Sequence, residues 1–95
     1  MSSSTDSCAI FHRLHESGCF VMPNPWDVGS ARVLEQLGFP ALATTSSGLA
    51  WSLGRSDNSV SRNDTIAHMR KMAAAVEVPI NADFEGAFAP KPSVV

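Results

Sequence analysis

The sequence predicts an α/β fold in which short parallel strands alternate with helices. Three observations carry that prediction. Apolar segments of strand length recur at 19–22, 41–44 and 78–82. Helical periodicity fills the stretch before the first and the gaps between them. The strands are apolar throughout rather than alternating, as expected when helices cover both faces of a sheet. Helix, strand, helix, strand, helix, strand is the order of a parallel sheet with right-handed crossovers.

Each element has a local reason. Ser7 can cap a first helix that carries Ile10, Phe11 and Leu14 on one face and stops at Gly18. Cys19-Phe20-Val21-Met22 reads as a short strand ended by Pro23-Asn24-Pro25. Asp27 is a good N-cap for a helix through Leu37, with Val33, Leu34 and Leu37 facing a core and Gly38 closing it. Ala41-Leu42-Ala43-Thr44 is a second strand, and a polar loop rich in Ser and Gly is expected from Thr45 to Val60. Ser61 with Asp64 three residues on resembles a capping box, and Ile66, Met69, Ala73 and Val76 follow at helical spacing. Pro79 opens the third strand. Ala89 to Val95 reads as a loop and the start of another helix, and residues 1–6 as a disordered N-terminus.

Composition narrows the function. A formal charge of −2 and scattered Lys and Arg give no electrostatic case for nucleic acid or an anionic membrane surface. No apolar stretch approaches the roughly 18 residues of a membrane span, and the N-terminus lacks a basic and apolar secretory signal. A cytoplasmic location is expected, with Cys8 and Cys19 as reduced thiols. His12-Arg13-Leu14-His15-Glu16 has its acid and histidines in the wrong order for a zincin, and with His68 these read as surface histidines.

Chemistry points to Asp83-Phe84-Glu85, two carboxylates one residue apart at the exit of the third strand. Side chains two apart in a strand point the same way, and the C-terminal ends of parallel strands are where such folds place their sites. A converging pair suits a hard cation such as Mg²⁺. The same spacing also describes two solvated acids opening a loop, and spacing alone does not decide between them.

Three segments together resemble the isocitrate lyase/phosphoenolpyruvate mutase superfamily, especially its 2-methylisocitrate lyase and oxaloacetate decarboxylase-like members. They are Pro23-Asn24-Pro25-Trp26-Asp27-Val28-Gly29-Ser30-Ala31, then Ala43-Thr44-Thr45-Ser46-Ser47-Gly48-Leu49-Ala50 with Leu53-Gly54-Arg55-Ser56-Asp57, and Asn81-Ala82-Asp83-Phe84-Glu85-Gly86-Ala87-Phe88. The resemblance implies a (β/α)₈ TIM-type barrel, of which residues 1–95 are one partial domain: the N-terminal third, ending after the third strand. It implies a Mg²⁺-dependent lyase or mutase that acts on a C–C or P–C bond next to an α-keto acid or its enolate.

Site roles follow from that resemblance. Asp83 and Glu85 match the acidic pair that anchors the metal mainly through waters, and Asp57 matches an acid that organises the metal's water shell. Ser47, Gly48 and Leu49 match the loop that grips the substrate carboxylate. Thr45 stands where some members carry an aromatic residue. Asn24 and Asp27 top the first strand, where loop building and helix capping compete with a site role; Trp26 reads as packing and Arg55 as a loop cation. Partners are expected to be a small α-keto acid or carboxylate and, for the parent enzyme, further copies of itself. The family's later acidic residue, Arg and Cys-bearing loop have no counterpart in this sequence. A non-catalytic short product that associates with a full-length homologue, or a small carboxylate-binding module, are the alternative expectations.

Overall fold

The computed structural model describes residues 4–88. Its centre is a parallel pair of strands, β1 (Leu42–Ala43) and β2 (Ile80–Asn81), with Leu42 opposite Ile80 and Ala43 opposite Asn81. Leu42 N–H donates to the Pro79 carbonyl and Thr44 N–H to the Asn81 carbonyl, both at 2.9 Å. Between them Ala43 N–H turns the other way, to the Pro23 carbonyl at 3.0 Å. Segment 19–22, expected as a strand, therefore lies along the free edge of β1 without becoming one. Pro23 and Pro25 have no N–H to give back, so a reciprocal ladder cannot form there.

Among the described residues four helices accompany the pair: α1 (Ser4–Leu14), α2 (Val28–Gln36), α3 (Ser46–Ser52) and α4 (Arg62–Ala75). The first begins at Ser4, ahead of the Ser7 cap and inside the 1–6 segment expected to be disordered. Residues 1–3, and the loop and helix start expected at 89–95, lie outside the described residues. Phe11 of α1 and His15 just past its end meet Phe20 edge-on at 6.4 and 5.2 Å, which docks the helix on segment 19–22. Among the described residues no helix is long and apolar enough to cross a membrane.

One core sits where α2 and α4 pack on the sheet. Ala31, Leu42, Met72 and Val76 are its buried members, with Val28, Leu34, Phe39, Ala75, Val78 and Ile80 packed around them. Truncating a fully buried side chain such as Leu42 costs ~2–5 kcal/mol, so this cluster outweighs any single polar contact in the chain. The helix faces differ from expectation in detail. Val33 and Leu37 are 55 % and 71 % exposed, because Val28, Ala31 and Leu34 form the stripe that meets the core. On α4 the buried residues are Thr65 and Met72, with Val76 buried at the C-cap; Ala73, one position past Met72, is turned to solvent.

Capping agrees with the sequence at α2 and α4, whereas Ser7 lies inside α1 rather than at its head. Asp27 caps α2, its Oδ1 accepting from the Ser30 N–H and hydroxyl at 2.8 Å each, and these bonds hold its carboxyl below the ordinary value. Ser61 Oγ accepts from Asp64 N–H at 3.1 Å at the head of α4. A further lock joins the layers: Glu35 Oε2 on α2 accepts from the N–H groups of Glu77 and Val78 at 2.6 and 3.2 Å. It pins the connection between α4 and β2.

The expected Thr45–Val60 loop contains α3. Thr45 starts it, taking Gly48 N–H on its side chain at 3.2 Å and Leu49 N–H on its carbonyl at 3.0 Å. Leu49 and Ala50 bury with Val60, which gives the helix an apolar anchor that loop-like composition conceals. Gly48 is required by space. A Cβ there would lie 2.4 Å from Trp26 Cδ1 and 2.5 Å from Thr45 Cγ2. Gly48→Ala is therefore expected to destabilise by ~1–3 kcal/mol, read as a lower urea midpoint and recovered in part when combined with Trp26→Ala.

His68 departs from the surface reading. Its ring is half-buried on α4, and Nε2 is buried with no hydrogen-bond partner among the described residues. Burial lowers its pKa from 6.5, Lys71 lowers it further, and Asp27 pulls the other way. The fold thus holds His68 neutral. Stability from this group is present above pH 6.5, where the unfolded chain is also neutral, and is lost as pH falls through the lower folded value. Urea midpoints between pH 7.5 and 5.5 should fall less steeply for His68→Leu than for the wild type.

Candidate functional site

The C-terminal ends of β1 and β2 bring three segments together. Asp83 N–H donates to Thr44 Oγ1 at 2.7 Å, and Thr44 is itself buried just beyond β1. Asp83 Oδ2 accepts from Ser46 N–H at 3.3 Å, and its Oδ1 accepts from Glu85 N–H at 3.0 Å. The Ser46 hydroxyl donates to Asp57 Oδ1 at 3.3 Å, an oxygen that also takes Asn58 N–H at 2.9 Å. Asp57 and Asp83 are thus joined through one serine.

Glu85 reaches the rim by a different route from the expected one. The strand ends at Asn81, so strand alternation does not extend to Asp83 and Glu85 and cannot aim them at one point. Instead Glu85 sits in a turn with φ 53°, followed by Ala87 at 61° and Phe88 at 58°. Left-handed non-glycine residues cost ~1 kcal/mol or more each. The edge-to-face contact of Phe84 with Phe88 at 5.1 Å returns only ~0.5–1.5 kcal/mol, so it does not by itself hold the turn. Glu85 borders an open groove with Asn58, Gly86 and Phe88. Its backbone, rather than its carboxylate, touches Asp83.

The 47–49 segment is the first turn of α3. Gly48 and Leu49 are buried and their N–H groups are committed to Thr45. Ser47 N–H makes no hydrogen bond among the described residues, and its hydroxyl lies 3.2 Å from Thr45 Oγ1. Of the three amides expected to grip a carboxylate, Ser47's is the one at liberty. Trp26 covers Gly48 and meets Trp51 edge-on at 5.6 Å, while Asp27 is occupied as a cap.

Thr44, Ser46 and Asn58 belong to this rim and were not singled out from the sequence. Four consecutive hydroxyl residues, Thr44 to Ser47, look alike in a string. Only the end of β1 and the start of α3 decide which of them faces the acids.

No three His, Cys, Asp or Glu side chains come together as a metal-binding group among the described residues. The donors present are carboxylate and hydroxyl oxygens. They fit a hard cation that keeps most of its waters and leans on one or two carboxylates, as Mg²⁺ does, and they do not make an all-protein cage.

A family model described as phosphoenolpyruvate phosphomutase matches residues 11–95. A crystal structure described as a lyase/mutase from Burkholderia cenocepacia J2315 is 43% identical, with a TM-score of 0.89 over 93% of this chain and 32% of that one. A crystal structure described as a phosphoenolpyruvate phosphomutase from Streptomyces platensis subsp. rosaceus is 28% identical with a TM-score of 0.70, covering 82% of this chain and 28% of that one. Two uncharacterized proteins of Mycobacterium tuberculosis, from strains CDC 1551 / Oshkosh and ATCC 25618 / H37Rv, are each 33% identical over 90% of this chain. The chain spans 33% of the length of these two relatives. Its parallel α/β architecture corresponds to the N-terminal part of the lyase/mutase TIM barrel. The chain belongs to the phosphoenolpyruvate phosphomutase family, within the isocitrate lyase/phosphoenolpyruvate mutase superfamily.

Proposed function

We propose that this protein takes part in Mg²⁺-assisted lyase or mutase chemistry on a C–C or P–C bond beside an α-keto acid or its enolate. The observation that carries the reading is the Asp57–Ser46–Asp83 linkage at the C-terminal rim of the parallel strands. When bound, the metal supplies a positive charge that stabilises an enolate and orients its oxygens. Asp83 and Asp57 hold its waters, and Glu85 adds negative charge from the neighbouring turn. Ser47 receives the substrate carboxylate on its unused amide, and its hydroxyl joins once it leaves Thr45. For Gly48 and Leu49 to join it, Thr45 has to release their N–H groups. The reading includes a reducing, cytoplasmic setting, in keeping with the free, exposed thiols of Cys8 and Cys19, and a homo-oligomeric parent enzyme.

Binding is testable without turnover. A ligand present at 100 times its Kd raises stability by ~2.7 kcal/mol. Mg²⁺ with pyruvate at millimolar concentration should therefore raise the melting temperature of the chain, and Asp83→Ala should remove the shift. An unchanged shift in Asp83→Ala, or none in the wild type, overturns the metal assignment.

A second reading, association with a longer homologue, draws on the exposed Val21, Val33 and Leu37. It predicts that the chain elutes as a complex with such a homologue in size exclusion and runs alone without it.

A further inference from the structure

We propose that Ser46 is the positioning residue of the metal-binding pair, its hydroxyl orienting Asp57 while its backbone N–H orients Asp83. This rests on the functional reading above and deepens it.

Ser46 is the first residue of α3, so its amide has no acceptor within the helix and must find one outside. It finds Asp83 Oδ2 at 3.3 Å. Its hydroxyl, on the same residue, reaches Asp57 Oδ1 at 3.3 Å. The two acids come from different parts of the chain, one from the loop after α3 and one from beyond β2. Like charges brought together repel, and a neutral double donor between them holds both near one point in the absence of a cation. Ser46 can do this because its own position is set elsewhere. Thr45 caps the helix, and Leu49 and Ala50 anchor it against Val60.

The orientation leaves room for a ligand. Asp57 Oδ1 takes two hydrogen bonds, from Ser46 and Asn58, whereas Oδ2 accepts none from the described residues. Each Asp83 oxygen accepts one N–H and keeps a further lone pair. Ser47 cannot take the same role, because its hydroxyl is paired with Thr45. Partners that orient metal-bound carboxylates typically change metal affinity by about 10- to 100-fold when removed.

Mg²⁺ affinity measured by isothermal titration calorimetry on the whole chain tests the assignment. Ser46→Ala should weaken binding by about 10-fold or more, and Ser46→Thr, which keeps the hydroxyl, should restore it. In an Asp57→Asn background Ser46→Ala should have little further effect, because the hydroxyl acts through Asp57. An equal loss in both backgrounds marks a merely structural serine and overturns the proposal. Asp83→Asn separates the two levels. If it leaves Mg²⁺ binding intact the metal reading itself fails; if it abolishes binding while Ser46→Ala does not weaken it, only the role of Ser46 fails. Should Ser46→Ala not fold, amide exchange of the wild type decides. Mg²⁺ should slow exchange at Ser46 and Asn58, and unchanged rates at both overturn the proposal.

Discussion

The parallel register of Leu42 with Ile80 and Ala43 with Asn81 is the constraint on which the rim depends. The ladder itself is short, and each of its hydrogen bonds contributes only ~0.5–1.5 kcal/mol. The core holds it in place. A slip of one residue would turn Leu42 from the Met72 and Val76 cluster to the opposite face, at several times the value of a hydrogen bond. With that register held, Thr44 falls beside Asp83 and its hydroxyl takes the Asp83 amide. Apolar packing on the helix side therefore places the acids on the rim.

Glu35 completes the restraint from the other end. It receives two consecutive amides just before β2, where Pro79 could not supply one. Hydrogen bonds to a charged acceptor contribute ~1.5–3 kcal/mol each, more than a neutral ladder bond. The strand is thus held before its start by a helix side chain and after its end by Thr44. Its two residues need little ladder of their own.

Alternation of helix and strand was legible because periodicity, Asp27, Gly38 and Ser61 all mark their elements locally. The parallel α/β architecture and the family follow from those marks and from three short motifs. What was not legible depended on contacts between segments. The α3 helix hides inside Ser/Gly composition because its anchor, Val60, is remote in sequence. Segment 19–22 has strand-like residues, but its neighbours Pro23 and Pro25 lack donors. Asp83 and Glu85 were spaced as strand neighbours, yet the strand ends too early for that spacing to aim them. Ser46 looked no different from Ser47. Only the start of α3 shows that one amide turns to Asp83 while the other is left unused.

Both tryptophans of the chain meet in one edge-to-face pair, Trp26 packed over Gly48 and Trp51 within α3, away from the α2/α4 core. Each is about half exposed, at 45 % and 54 %. Intrinsic fluorescence is consequently a local gauge. It registers order in the roof above α3, where the rim residues start, while far-ultraviolet dichroism registers the helices as a whole. Any lag between the two signals during denaturation would measure how loosely the roof is coupled to the layer that supports it.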